Sequence, residues 1–223
     1  MKKLLACLLL VSGTQTGVLA QTTFSATYDF GLGTSNNVTN FPYNGMPVTN
    51  LSIGPMVKSP GINTTIAQGG ASFRGTAWTT NSSIDTNDYI GFSVAANPGF
   101  VLSISNLSFG VNRSATGPRR FVWYASTNGF TTSVVLTGFT AVNTNWSASN
   151  GVISLVSGTN VAINYLGNVL AAAGLVNLTN VDFRLYGFLP ATTPPLAASV
   201  VPSPSPDPSP PSEATRSSGM ATA

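Results

Sequence analysis

Apolar and polar residues alternate with a period of two along much of residues 21–189. In the stretch TTFSATYDF, apolar side chains occupy every second position, at Phe24, Ala26, Tyr28 and Phe30. Successive side chains of a strand point to opposite faces, so this spacing predicts a strand with one buried face. Repeated short segments of this kind predict an all-β fold, an antiparallel β-sandwich of the jelly-roll-like type.

Seven further segments are predicted to be strands. Turn-forming sequences such as Asn-Pro-Gly, Thr-Gly-Pro and Asn-Gly separate several of them, as expected for short strands joined by tight connections. The segments are Tyr89–Ala96, 102–104, 107–111, 121–126, 134–139, 152–156 and 181–188.

One segment departs from the period of two. In residues 165–180, Leu166, Val169, Leu170 and Ala173 have helical spacing. This spacing predicts a short helix or an irregular crossover between strands.

The first 20 residues have the features of a secretory signal peptide. Two lysines precede the apolar run 4–11, and the small residues Val18 and Ala20 predict cleavage after Ala20. A lipid attached to Cys7 is the alternative, but most of the apolar run follows that cysteine. We therefore expect an exported protein, extracellular or at the cell surface.

Cleavage would change the chemistry of the chain. Cys7 is its only cysteine, so the mature chain would have neither a disulfide nor a thiol nucleophile. Seven basic and six acidic residues would remain, a net charge of +1. This balance argues against nucleic acid as a partner. The apolar run of the signal segment is too short to span a bilayer, and no apolar helix follows the Pro-rich segment, so we expect no membrane span in the mature chain.

Residues 190–223 contain most of the prolines of the chain. Proline fixes φ and has no backbone N–H to donate. The composition predicts a disordered Pro/Ser-rich tail that joins no sheet or helix, which leaves residues 21–189 as the folded domain.

Several motifs follow one another in a fixed order. Asp88-Tyr89 is followed by NPGFVLSISNLSF, RSATGP, ASTNGF and FRLYGF. This series resembles the secreted bacterial β-sandwich domain found in PEP-CTERM proteins, most of which have no assigned activity. The resemblance implies export and a sandwich fold. Family members continue into a last strand and a sorting signal; here Pro-rich sequence follows, which implies that both are lacking and that a sheet edge is open.

Few residues could carry catalysis. The chain has no histidine, and Lys58 is the only lysine outside the signal segment. Lys58 lies in GPMVKSPG, which predicts a solvated loop lysine rather than a nucleophile. The domain has four carboxylates and no glutamate, and we expect no enzymatic activity. The carboxylates are Asp29, Asp85, Asp88 and Asp182.

Asp85, Asn87 and Asp88 lie together just before a predicted strand. Short polar side chains at such a position commonly accept hydrogen bonds from turn amides, and this is the interpretation we favour. The alternative is a structural calcium ion held by their side-chain oxygens and nearby carbonyls. We expect no other cofactor.

A sugar-binding platform is the second candidate site. Trp78 and Trp146 lie in polar stretches, and they could join Tyr124, Arg119 and Arg120 to stack on and hydrogen-bond to a sugar ring. Loop tryptophans also often pin their loop to the core.

The stretch RFVWYAS, which contains Tyr124, predicts a central strand with apolar side chains on both faces and Trp123 in the core. Asp182 and Arg184 share one face of a later strand, which predicts an ion pair on the solvated side.

The expected function is that of a non-catalytic, exported β-sandwich with a structural or adhesive role at the cell surface. The alternative is a carbohydrate-binding module that uses the exposed loop aromatics. The sequence identifies no partner; polysaccharides and other cell-surface components are the candidates.

Overall fold

A computed structural model describes the chain at residues 13–17, 20–31, 38–64, 72–113, 117–141, 146–155, 164–167, 174–190 and 198–201. In these ranges the regular structure is entirely β, which confirms the predicted fold class. The strands are β1 (Gly13–Gly17), β2 (Ala20–Phe24), β3 (Asn40–Phe41), β4 (Leu51–Ile53), β5 (Met56–Lys58), β6 (Phe73–Gly75), β7 (Tyr89–Ala96), β8 (Phe109–Arg113), β9 (Pro118–Ser126), β10 (Val134–Val135), β11 (Thr140–Ala141), β12 (Trp146–Ser149), β13 (Val152–Leu155), β14 (Asn164–Gly167), β15 (Asn180–Pro190) and β16 (Ala198–Val201). None of the described segments forms a helix long and apolar enough to cross a membrane.

The strands form two antiparallel sheets and a separate hairpin of β1 and β2. The larger sheet has the order β12-β13-β9-β15-β7-β5-β3, with β10 added to β9 and β4 added to β7. The smaller sheet has the order β11-β14-β8-β16-β6. Aromatic residues pack between the sheets. The ring centroid of Phe109 on β8 lies 5.3 Å from that of Trp123 on β9.

Strand β15 is the centre of the larger sheet and pairs with both β7 and β9. Its inward side chains, Val181, Phe183 and Leu185, are buried in the core, as the period of two predicts. The ring of Phe183 stacks on that of Phe92 from β7 at 4.8 Å. Asp182 and Arg184 alternate with these inward residues along β15. Their side chains point to the outer face and remain partly exposed.

The stretch RFVWYAS lies in β9, which pairs with β13 on one side and β15 on the other. Phe121 and Trp123 are buried between the sheets, and Val122 on the opposite face packs against Tyr186. Both faces are therefore covered, and the prediction of a central strand with Trp123 in the core is confirmed.

Of the two alternatives predicted for residues 165–180, a short helix or an irregular crossover, the helix is wrong where the structure describes the chain. Residues 165–167 belong to β14, which pairs with β8, and the segment from Gly174 onward is not helical. Pairing with β8 satisfies the backbone of β14 and outweighs the local helical spacing. Residues 168–173 lie outside the described residues.

The C-terminal segment also differs from the prediction. Ala198–Val201 forms β16, which lies between β8 and β6 in the smaller sheet. The prediction that no residue of 190–223 joins a sheet is therefore wrong, and β16 supplies a strand after FRLYGF where none was expected. These four residues contain no proline, so their backbone N–H groups are available to the ladder. Residues 191–197 and 202–223 lie outside the described residues.

Strand β1 falls inside the predicted signal peptide and pairs with β2. Cleavage after Ala20 would remove β1, while the remainder of β2 would stay with the mature chain. Cleavage itself stays a prediction.

Truncation tests the contribution of β16 to the fold. Removing residues 198–223 should lower the melting temperature by roughly 5 °C or more, because β8 and β6 lose hydrogen bonds and gain open edges. Removing only residues 202–223 is the matched control and should leave the melting temperature unchanged. Equal melting temperatures for both truncated proteins, measured by circular dichroism, would show that β16 does not stabilise the sheet.

Candidate ligand groove on the outer sheet face

A groove of about 270 Å³ lies on the outer face of the larger sheet. Strands β5, β7 and β15 form its floor, and the loop that follows β9 forms one wall. Polar and aromatic side chains line it together, namely Tyr89, Ser93, Phe130, Asp182 and Arg184. The groove is open to solvent, so a ligand could enter without a change in the fold.

The pairing of β15 with its neighbours places these side chains side by side. Arg184 lies opposite Gly91 on β7 and Tyr124 on β9, and Asp182 lies opposite Ser93 and Ser126. In an antiparallel sheet, side chains directly opposite each other share one face. The groove is therefore a consequence of register across three strands.

Arg184 is held between two aromatic rings. Its guanidinium carbon lies 4.1 Å from the ring centroid of Tyr89 and 3.9 Å from that of Phe130. The negative face of each ring attracts the cation, and such contacts stabilise by about 0.5–2 kcal/mol each. These two contacts restrict the positions that the guanidinium can adopt before any ligand arrives.

Gly91 provides the space that Arg184 needs. A Cβ at residue 91 would lie 2.5 Å from the carbonyl oxygen of Phe183 and 3.4 Å from Cγ of Arg184. Any other residue would push β15 away or displace the arginine.

Phe130 reaches the groove because its loop holds an uncommon backbone conformation. Its φ is +67°, in the left-handed region that bulky residues rarely adopt, and Gly129 before it has φ +68°. Ser126 fixes the loop: its Oγ accepts the N–H of Phe130 at 2.9 Å and donates to the carbonyl of Thr132 at 2.7 Å. Strain of this kind is typical of functional sites.

The electrostatics of the groove centre on Arg184. Burial raises the pKa of Asp182, and the nearby Arg184 partly offsets this. Burial likewise raises the pKa of Tyr186, which Arg184 lowers through a hydrogen bond and its charge. The predicted ion pair is wrong in its geometry, because Arg184 stacks on two rings and makes no direct ion-pair contact with Asp182, both of which the structure describes.

The predicted sugar platform does not exist as such. Trp78 is 2 % exposed and donates its indole N–H to the carbonyl of Gly75 at 2.8 Å. Trp146 is 4 % exposed and belongs to the main core. Both indoles pin their segments to the core and cannot stack on a sugar, so the prediction that they are exposed is wrong.

The other predicted platform residues are dispersed. Tyr124 is partly exposed, packs edge-on against Tyr186 at 5.6 Å, and lies beside the groove. Arg119 and Arg120 are exposed at the start of β9. Arg120 pairs with Phe188, four residues along β15 from Arg184, so it is distant from the groove.

In the turn that contains Asp85, Asn87 and Asp88, a carboxylate accepts a hydrogen bond from a turn amide, the structural role that the sequence favoured. Oδ1 of Asp85 accepts the N–H of Asn87 at 2.9 Å. Asp88 is buried, which together with Asp85 raises its pKa, while a backbone hydrogen bond from Thr79 lowers it. No cluster of three or more potential metal-ligating residues occurs in the described part of the chain. The calcium site stays a prediction.

Lys58 differs from the prediction of a solvated loop residue. It lies at the end of β5 and is 6 % exposed, with Nζ 4.4 Å from the ring centroid of Phe73. Burial lowers its pKa to about 8. Met56 and Lys58 both point inward because side chains alternate along β5. The glycines and prolines around Lys58 predicted a loop and not this strand.

Sequence reasoning missed Tyr89 and Phe130 as groove residues and assigned Arg184 a different partner. The available signal was the turn sequence Asn128-Gly129-Phe130, in which a bulky residue follows glycine in a tight loop. The stacking joins Arg184 to residues about 54 and 95 positions earlier in the chain and leaves no local signal.

The fold and groove define an all-β sandwich with a solvent-open polar and aromatic groove. No protein-family model, curated protein or solved structure matches the chain. A functional assignment therefore depends on this geometry and on the sequence.

Burial of Lys58 predicts a pH dependence of stability. The unfolded chain keeps this proton up to a pKa near 10.5, whereas the folded chain loses it near 8. The free energy of unfolding should therefore rise as the pH increases above about 8. Lys58→Met should abolish this rise.

Urea unfolding between pH 7 and about 9.5 checks the prediction, since the tyrosines whose pKa burial raises, Tyr43 and Tyr186, titrate above this window. Equal pH slopes for the wild type and Lys58→Met would contradict it.

Proposed function

We propose that the protein is an exported, non-catalytic adhesion module that binds a polysaccharide chain in the groove around Arg184. The observation that carries this proposal is the guanidinium fixed between Tyr89 and Phe130 in an open groove. Sites for sugars combine aromatic surfaces with a few fixed polar groups, and this groove contains both.

The groove is better suited to binding than to catalysis. Glycoside cleavage generally uses two carboxylates on opposite sides of the bond, and among the described lining residues Asp182 is the one carboxylate. The sequence contains no histidine as an alternative base. Lys58 points into the core against Phe73 and is not a groove residue.

Export is the second part of the proposal. The N-terminal signal features and the resemblance to the secreted domain of PEP-CTERM proteins support it. A surface location would place the groove where extracellular or cell-wall polysaccharides are available.

Binding of the mature chain, residues 21–223, to a panel of insoluble polysaccharides and soluble glycans tests the proposal. We expect at least one glycan to bind, and Arg184→Met to weaken that binding by roughly tenfold or more, equivalent to about 1.4 kcal/mol. Phe130→Gly should weaken it as well, because glycine accepts the positive φ but has no ring.

Arg120→Met is the matched control, since it removes an exposed arginine of the same sheet outside the groove. Trp146→Phe keeps an aromatic residue in the core and should also bind normally. Absence of binding by folded wild-type protein, or equal binding by Arg184→Met, would refute the proposal.

A further inference from the structure

Arg184 can hydrogen-bond to a ligand only through the edge of its guanidinium. Its central carbon lies 4.1 Å from the ring centroid of Tyr89 and 3.9 Å from that of Phe130, and its five N–H donors point outward in the plane of the group. The hydroxyl of Tyr186 interacts with this group. No ion pair to a carboxylate satisfies Arg184 in the part of the chain that the structure describes. The guanidinium has five N–H donors, more than its contact with Tyr186 uses, and the others can bind a ligand.

The geometry of these donors favours a planar anion. The guanidinium fork matches the two oxygens of a carboxylate, and such paired charge-assisted hydrogen bonds are stronger than neutral ones. A neutral hydroxyl would use one donor and leave the cation unpaired in a partly buried site.

The neighbouring residues favour hydroxyl groups on the same ligand. Asp182 lies two residues from Arg184 on β15, a separation of about 6.6 Å along the strand, and Ser93 lies directly opposite Asp182. Both side chains can accept hydrogen bonds from hydroxyls. The separation is similar to the length of one pyranose ring, so one sugar can reach Arg184 and Asp182 together.

We propose that the groove binds a uronic acid unit of an acidic polysaccharide, with its carboxylate on Arg184 and its hydroxyls on Asp182 and Ser93. This inference rests on the proposed function and names the class of sugar. It also explains why a groove with one acidic residue contains a cation held without a carboxylate partner.

Calorimetric titration of the mature chain with polygalacturonate oligomers, and with the same oligomers fully methyl-esterified, tests the inference. The two probes share a backbone and differ in the carboxylate charge. We expect the free acid to bind at least roughly tenfold more tightly. Arg184→Met should abolish this preference, Arg184→Lys should retain only part of it, and Arg120→Met should retain all of it.

The outcomes separate the inference from the proposed function. Equal affinity for acid and ester, or a preference that survives in Arg184→Met, would overturn the uronic acid assignment while glycan binding stands. Tight binding of a sulfated galactan with none of polygalacturonate would overturn it in favour of a tetrahedral anion. Absence of binding to these probes and to the whole polysaccharide panel would overturn both.

Discussion

The pairing of β15 with β7 and β9 is the constraint on which the fold and the groove depend. One register places Phe183 and Leu185 in the core and puts Asp182 and Arg184 on the outer face. A slip of one residue would exchange the two sets, burying the charges and exposing the apolar side chains. The hydrophobic effect that fixes the core therefore also fixes the position of the candidate site.

The candidate site combines a rigid floor with a strained wall. Gly91 lets Arg184 lie across the sheet, and the hydrogen bonds of Ser126 hold Phe130 at a positive φ. Because left-handed conformations of bulky residues cost of order 1–3 kcal/mol, the surrounding contacts must offset that cost. The gain is an arginine whose orientation is set before a ligand binds, which reduces the entropy lost on binding.

The sequence predicted the parts of the fold that local pattern determines. The alternation around Trp123 predicted a central strand with this residue in the core, and the structure confirms both. The prediction that Trp78 and Trp146 are exposed was wrong because it used only their polar neighbours in sequence. Burial of an indole depends on tertiary packing, which those neighbours do not determine. Likewise, the interaction of Arg184 with Tyr89 and Phe130 depends on strand order, which alternation does not encode.

The most direct test of the account is an NMR titration of the mature chain with trigalacturonate, observing the Arg184 Nε–Hε group and the ring protons of Phe130 and Tyr89. We expect these signals to shift together and saturate with one binding constant, because one ligand would contact the stacked guanidinium. Saturable shifts confined to Arg119 and Arg120, with the Arg184 signals unchanged, would contradict the assignment of the groove as the binding site.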